Sequence, residues 1–171
     1  MHVRNDMITC YAVRPAGDSH EFLQLLRAAG DFMGGTWQAV SGGIEAGETA
    51  WAAALRELKE EAGLVPIELY RLPVVNTFYI AVSDTLWHSV PFCAIVDPAA
   101  AVVLNEEHDA ARWVPRADVE RAFMWATDRA AIAELCREIL DPLPAGRAAL
   151  DGVPDGALDG TTAKAYLRIP I

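Results

Sequence analysis

Three glutamates are the residues of this chain best placed to do chemistry. Glu57, Glu60 and Glu61 are spaced i, i+3 and i+4, so on a helix all three project from one face. Carboxylates that close repel one another and weaken the helix unless a positive charge sits among them. A hard divalent cation removes the repulsion, and an all-oxygen donor set suits Mg2+. A solvated acidic face is the plainer use of the same residues, and spacing alone leaves both readings open.

The helix that must carry these residues is well marked. Thr49 suits an N-cap and Gly63 a C-terminal stop, which predicts a helix over 49–62. Trp51, Leu55, Leu58 and Ala62 fall on one apolar stripe, with Trp51 expected in the core. The glutamates are expected on the opposite sector beside Ala50, Ala53 and Ala54, whose small side chains leave room for a ligand. Upstream, Gly42 and Gly43 permit backbone geometry closed to other residues. A loop there can bring carbonyl oxygens or amides close to a metal or a phosphate. Arg56 can pair with Glu60 at i+4, which as an ordinary surface pair is worth about 0.2–0.5 kcal/mol.

Residues 42–64 read Gly, five residues, Glu48, seven residues, then Arg56-Glu57-Leu58-x-Glu60-Glu61-x-Gly63-Leu64. This resembles the Nudix box at nine fixed positions over 23 residues. The resemblance implies the Nudix fold, a mixed β-sheet sandwiched between α-helices. It implies Mg2+, with Mn2+ as an alternative, held by Glu57, Glu60, Glu61, the Gly42 backbone and a further acid outside the box. It implies that Glu48, Arg56, Gly42 and Gly63 support the box. The implied reaction is attack of a metal-activated water on a phosphorus of a diphosphate. For the further acid, Glu106 and Glu107 are candidates. The stretch Glu107-His108-Asp-Ala-Ala-Arg-Trp113 is similar to one in dihydroneopterin triphosphate pyrophosphatases, which favours Glu107. The general base stays open among Glu57, Glu60, Glu106 and Glu107. His108 is read as structural or exposed rather than as a proton donor.

Substrate choice lives outside the box. Trp37-Gln38-Ala39-Val40 ahead of it resembles a segment of the dihydroneopterin triphosphate and dATP pyrophosphatase group, and Trp125-Ala-Thr-Asp128-Arg129 resembles a late segment of that group. That likeness implies a nucleoside or pterin triphosphate as substrate, with pyrophosphate and the monophosphate as products. Gln38 and the aromatics Trp37, Phe32, Tyr79 and Trp125 are the candidate ring-binding residues, although buried aromatics more often serve as core. A second reading is a hydrolase of a substituted diphosphate such as ADP-ribose or a dinucleoside polyphosphate. A third, of another class, is a nucleotide sensor without turnover, against which the complete set of box glutamates argues. Residues 71–85 have no clear counterpart and leave the base preference open.

The rest of the chain bounds these readings. Its 171 residues suit one domain, and 53% hydrophobic content is enough for a core. A net charge of −10 with lysine only at 59 and 164 argues against polymeric nucleic acid and for a small phosphorylated partner. No apolar run nears the ~20 residues of a membrane span, and 1–9 lacks a signal-peptide pattern, so a cytoplasmic monomer or homodimer is expected. Cys10, Cys93 and Cys136 lie in apolar stretches and read as buried thiols. Strands are expected over 3–14, 37–40, 64–72, 87–96 and 110–114, with 21–27 as a returning strand or a short helix. Trp113 is expected to pack beneath the sheet. Helices are expected over 117–124 and 128–140. Mixed elements without regular βαβ alternation give the class α+β. Residues 1–140 are expected to form the domain and 141–171 a Pro/Gly-rich tail with a final strand over 164–169.

Overall fold

The computed structural model describes residues 1–141, 164 and 167–171. The expected tail lies mostly outside the described residues. Among the described residues nine strands build one mixed sheet in the order β3-β2-β1-β7-β5-β9, with β4 beside β1, β6 beside β7 and β8 beside β2. They are β1 His2–Ala16, β2 Ser19–Arg27, β3 Trp37–Gln38, β4 Val40–Gly43, β5 Pro66–Arg71, β6 Asn76–Ile80, β7 Thr85–Val96, β8 His108–Pro115 and β9 Arg168–Ile169. The central pair, β1 and β7, is parallel, and every other pairing among the described residues is antiparallel. Residues 21–27 are therefore strand, turned back on β1 through Gly17, whose φ of 60° fits the tight reversal.

Side-chain alternation along β1 splits the core into two layers. Ile8, Cys10 and Ala12 face helix α1 (Ala50–Ala62). Tyr11 and Val13 face α2 (Val119–Ala122) and α3 (Ala126–Leu135). Helices thus cover both faces of the sheet. All three cysteines are buried and unpaired. Trp113 packs partly buried against the α1-side core, with the Arg14 guanidinium 4.3 Å over its ring.

Helix α1 begins and ends where its local signals place it. The Thr49 hydroxyl accepts from the Ala52 N–H at 3.3 Å, and Gly63 takes the left-handed conformation at φ 67°. The Gly63 N–H reaches the Lys59 carbonyl at 3.0 Å. A Cβ at Gly63 would stand 2.9 Å from the Val103 side chain as well as forcing a strained φ. Gly63→Ala is expected to destabilise the fold by about 1–2 kcal/mol or more, read as a lowered urea midpoint with an unchanged slope.

The orientation of α1 corrects the expected stripe. Its buried residues are Ala53, Ala54, Leu58, Glu61 and Ala62, whereas Trp51 is 40% exposed. The alanines do not leave room for a ligand; their small size lets the helix lie close on the sheet. That rotation turns Glu61 inward and leaves Trp51 outside. Two further differences are local. The helix expected over 117–124 is a 3-10 turn at Arg116–Asp118 followed by an α-turn at Val119–Ala122, and it stops there because Phe123 adopts an extended backbone (φ −87°, ψ 116°) and buries its ring in the core. Strand β6 fills part of the unmatched 71–85 region. The helix expected over 128–140 is α3 continued by a π-turn at Cys136–Leu140. Of the expected final strand, Arg168 and Ile169 pair with Tyr70 and Leu69.

Candidate active site

Arg56 organises the acid face of α1. Its guanidinium donates to Glu48 Oε1 at 3.1 Å, Glu48 Oε2 at 3.0 Å, Glu57 Oε1 at 2.8 Å, Glu60 Oε2 at 3.1 Å and the Gly43 carbonyl at 2.8 Å. These bonds raise the arginine further above its ordinary range, led by Glu48. Glu48 in turn is held below the usual carboxylate range by Arg56 and by the Glu45 N–H. One planar fork thus ties the loop at Gly43 and Glu48 to Glu57 and Glu60 on the helix. Arg56→Lys keeps the charge but not the fork. It is expected to lower kcat about 10–100-fold, measured by steady-state kinetics on whichever substrate is turned over.

The three box glutamates do not converge. Glu57 and Glu61 line a cavity of about 750 Å3 that also takes in Ser41, Gly42, Gly43, Arg27 and Glu107. The Glu60 side chain is 56% exposed, turned to Arg56, and does not line the cavity. Among the described residues no group of three or more His, Cys, Asp or Glu side chains is drawn together as a ready metal site.

Glu61 nevertheless carries a marked signature. It is 3% exposed, and its Oε2 is buried with no hydrogen-bond partner among the described residues. Burial, reinforced by the charges of Glu57 and Glu107 and opposed by the Ser41 N–H, pushes its carboxyl up to about 8. Glu57 is also raised, chiefly by burial, with Arg56 pulling the other way. Its carboxyl group fills the space where a Cβ of Gly42 would stand, so a larger residue there would displace it. A buried carboxylate oxygen without a donor is costly, and a hard cation satisfies it. The oxygen-only donor set and the glycine cradle fit Mg2+.

The other predicted residues are distributed around this acid pair. Glu107 lines the cavity, 3.5 Å from Arg27 Nη1, whereas Glu106 does not line it. His108 is buried outside the cavity, with Nδ1 3.2 Å from Asn105 Oδ1, and burial lowers its pKa. Gln38, Phe32, Tyr79 and Trp125 line the cavity, the three aromatics at 68%, 52% and 44% exposure. Trp37 does not; its ring lies under the Arg112 guanidinium at 4.2 Å. Sequence reasoning did not single out Thr9, Asn76, Phe78 or Arg27, nor Asp128 as a lining acid. Asp128 stood inside the quoted Trp125–Arg129 segment, but Asn76 and Phe78 lie in the stretch without a counterpart.

A mixed sheet between helices, with a glycine-cradled acid pair on the first helix, is the scaffold that carries the site. The NUDIX domain model matches residues 7–135, and the chain belongs to that family. Its fold and its box are those of the Nudix hydrolases. The chain is 41% identical over 88 residues to an octanoyltransferase of Myxococcus xanthus, across 47% of this chain and 23% of that protein. It is 36% identical over 109 residues to the putative 8-oxo-dGTP diphosphatase 3 of Mycobacterium tuberculosis, across 63% of this chain and 50% of the relative. The matches therefore span a quarter to a half of these relatives' length. The solved Ap4A hydrolase binary complex of Caenorhabditis elegans superposes with a TM-score of 0.64 at 22% identity, covering 78% of this chain and 94% of that one, a likeness of fold. Among the described residues no helix is long and apolar enough to cross a membrane.

Proposed function

We propose that the chain is a Mg2+-dependent pyrophosphohydrolase of a nucleoside or pterin triphosphate, dihydroneopterin triphosphate or a dNTP, releasing pyrophosphate and the monophosphate. The observation that carries this reading is the partnerless buried oxygen of Glu61, beside Glu57, in a cavity large enough for a nucleotide. Glu57 and Glu61 would hold the cation, with Glu60, Glu107 and the Gly42 backbone as the remaining candidates from the box resemblance. When bound, Mg2+ or Mn2+ neutralises phosphate charge and makes water a better nucleophile.

The chain's own residues supply the rest. Arg56 fixes Glu57 before substrate arrives, which lowers the reorganisation needed at reaction. Glu107 is one of the cavity's acids outside the helix and the one the box resemblance favours, and its carboxylate accepts the proton of the attacking water. The water oxygen bonds to phosphorus, the bridging P–O bond breaks, and pyrophosphate leaves. Phe32, Trp125 and Tyr79 offer aromatic surface to a ring system. The Trp37–Val40 and Trp125–Arg129 segments support a triphosphate substrate, as does the relative named for 8-oxo-dGTP.

The test is phosphate release with Mg2+ and added pyrophosphatase over dNTPs, dihydroneopterin triphosphate, oxidised guanine nucleotides, ADP-ribose and diadenosine polyphosphates, with chromatography of products. Turnover of a triphosphate to monophosphate and pyrophosphate is expected. Activity confined to ADP-ribose or a dinucleotide would keep the chemistry and overturn the substrate. Tight nucleotide binding with no turnover would favour a sensor.

A further inference from the structure

Strand β6 is a free edge of the sheet. Strand β1 pairs along one side of β7, over 85–95. Strands β6 and β5 share its other side end to end, β6 against 85–89 and β5 against 92–96. Among the described residues nothing pairs with the outer side of β6. Alternate residues of β6 therefore turn backbone N–H and C=O groups away from the sheet, a template for one more strand.

The other edges are guarded. Strands β3 and β9 have two residues each. Strand β8 carries His108, Asp109 and Arg112 and ends on Pro115. The first residues of β1 include Arg4 and Asp6. Strand β4 lies under α1, with the Glu57 carboxyl on Gly42. Shortness, charge, proline and a covering helix are the devices that keep edges from pairing. Strand β6 has none of the first three: its five residues hold no charge and no proline. Thr77, Phe78, Tyr79 and Ile80 all favour strand pairing, and Val75, Tyr79 and Val82 are exposed. Charge decides the occupant. A net charge of −10 opposes self-association in general, but residues 72–83 contain no Asp, Glu, Lys or Arg, so two copies meet there without like charges between them. An antiparallel two-fold pairing satisfies both rows of backbone groups at once.

We propose that the β6 edge joins a second copy of this chain, so that one antiparallel sheet runs across a two-fold axis at Phe78. That register sets Thr77 opposite Tyr79, and Asn76 opposite Ile80, of the second copy, with facing Cβ atoms about 4.5–5.5 Å apart. Asn76, Phe78 and Ile80 line the cavity from alternate positions, and side-chain alternation carries across the pairing. Each copy thus brings its own Phe78 and Ile80 to the outer wall of the other's cavity. The association stands apart from the proposed hydrolase activity; only the shared wall rests on it.

Sedimentation velocity of the full chain over a concentration series reads the association without any turnover. A concentration-dependent dimer is expected for the wild type. Thr77 is exposed and does not line the cavity. In the proposed register the two copies of Thr77 are diagonal neighbours about 7–8 Å apart, within reach of long side chains. Thr77→Lys and Thr77→Glu are each expected to weaken the dimer about tenfold or more through like charges, and an equimolar mixture of the two to restore it. Val65→Lys, at an exposed valine beside the far end of β7, is the control expected to stay dimeric. Amide exchange of the wild type carries the test should a variant fail to fold: protection over 77–80 is expected to rise with protein concentration. A wild-type monomer, a dimer that survives both Thr77 substitutions, equal loss in Val65→Lys, a mixture of folded variants that stays monomeric, or protection independent of concentration overturns the proposal. A dimer lost in both variants and restored by mixing them, with no turnover of any nucleotide, leaves it standing and sinks the hydrolase reading.

Discussion

Glu61→Gln is expected to lower Mg2+-dependent turnover about 10³-fold and, in the metal-free protein, to raise the melting temperature at pH 8. The first effect follows from losing the several kcal/mol that a metal site contributes to catalysis. The second follows from burial. The folded carboxyl titrates at about 8 against an ordinary value of 4.5. The folded state therefore holds its proton more tightly than the unfolded chain. Below pH 4.5 both states are protonated and the group contributes nothing. As pH rises from 4.5 to 8 the native state is progressively penalised, at ~1.4 kcal/mol per pH unit, and the penalty of a few kcal/mol is complete above pH 8. Glutamine removes it. Added Mg2+ should likewise raise the wild-type melting temperature more at pH 8 than at pH 6, and should do little for the variant. Scanning calorimetry at the two pH values checks both. Full turnover by Glu61→Gln would show that the acid pair is not the metal site.

Gly42→Ala is the second large effect, expected to cost about 10²-fold in kcat with little change in stability. The φ of Gly42 is not in the left-handed region, so alanine meets no backbone strain there. It meets the Glu57 carboxyl group instead, which occupies the Cβ position. Glu57 must swing out and lose its 2.8 Å bond from Arg56. A misplacement on the order of 1 Å costs a reaction about 10²-fold. Gly30→Ala is the control, since its Cβ would meet nothing within 4 Å. Equal activities for the two variants would mean that Glu57 is not held where it acts.

Local signals explain what could be read in advance. The cap at Thr49 and the stop at Gly63 depend on residues close in sequence, and both appear as expected. The rotation of α1 does not, because it is set by what the sheet accepts: alanines pack closer than Trp51, and Glu61 is carried inward with them. A carboxylate at a core position contradicts every hydrophobic pattern, so the apolar stripe misplaced Glu61. Strand β6 was invisible because Asn76–Ile80 gains its partners from β7, and Asn76 and Asp128 become a pair only through Tyr11. Trp37 reads as a stacking platform in sequence, yet Arg112, 75 positions later in the chain, already covers its ring.

The parallel pairing of β1 with β7 also has a kinetic consequence. Thr9 and Ser89, bonded through their hydroxyls at 2.8 Å, are 80 residues apart, and Tyr11 and Asp128 are 117 apart. Contacts of such separation make folding slow. On a ribosome the first strand must wait for β7 to emerge, and the Tyr11–Asp128 contact waits for α3. Helix α1 and its glutamates are synthesised before β7 and α3, and the cavity that gives them a purpose closes only once α3 has emerged.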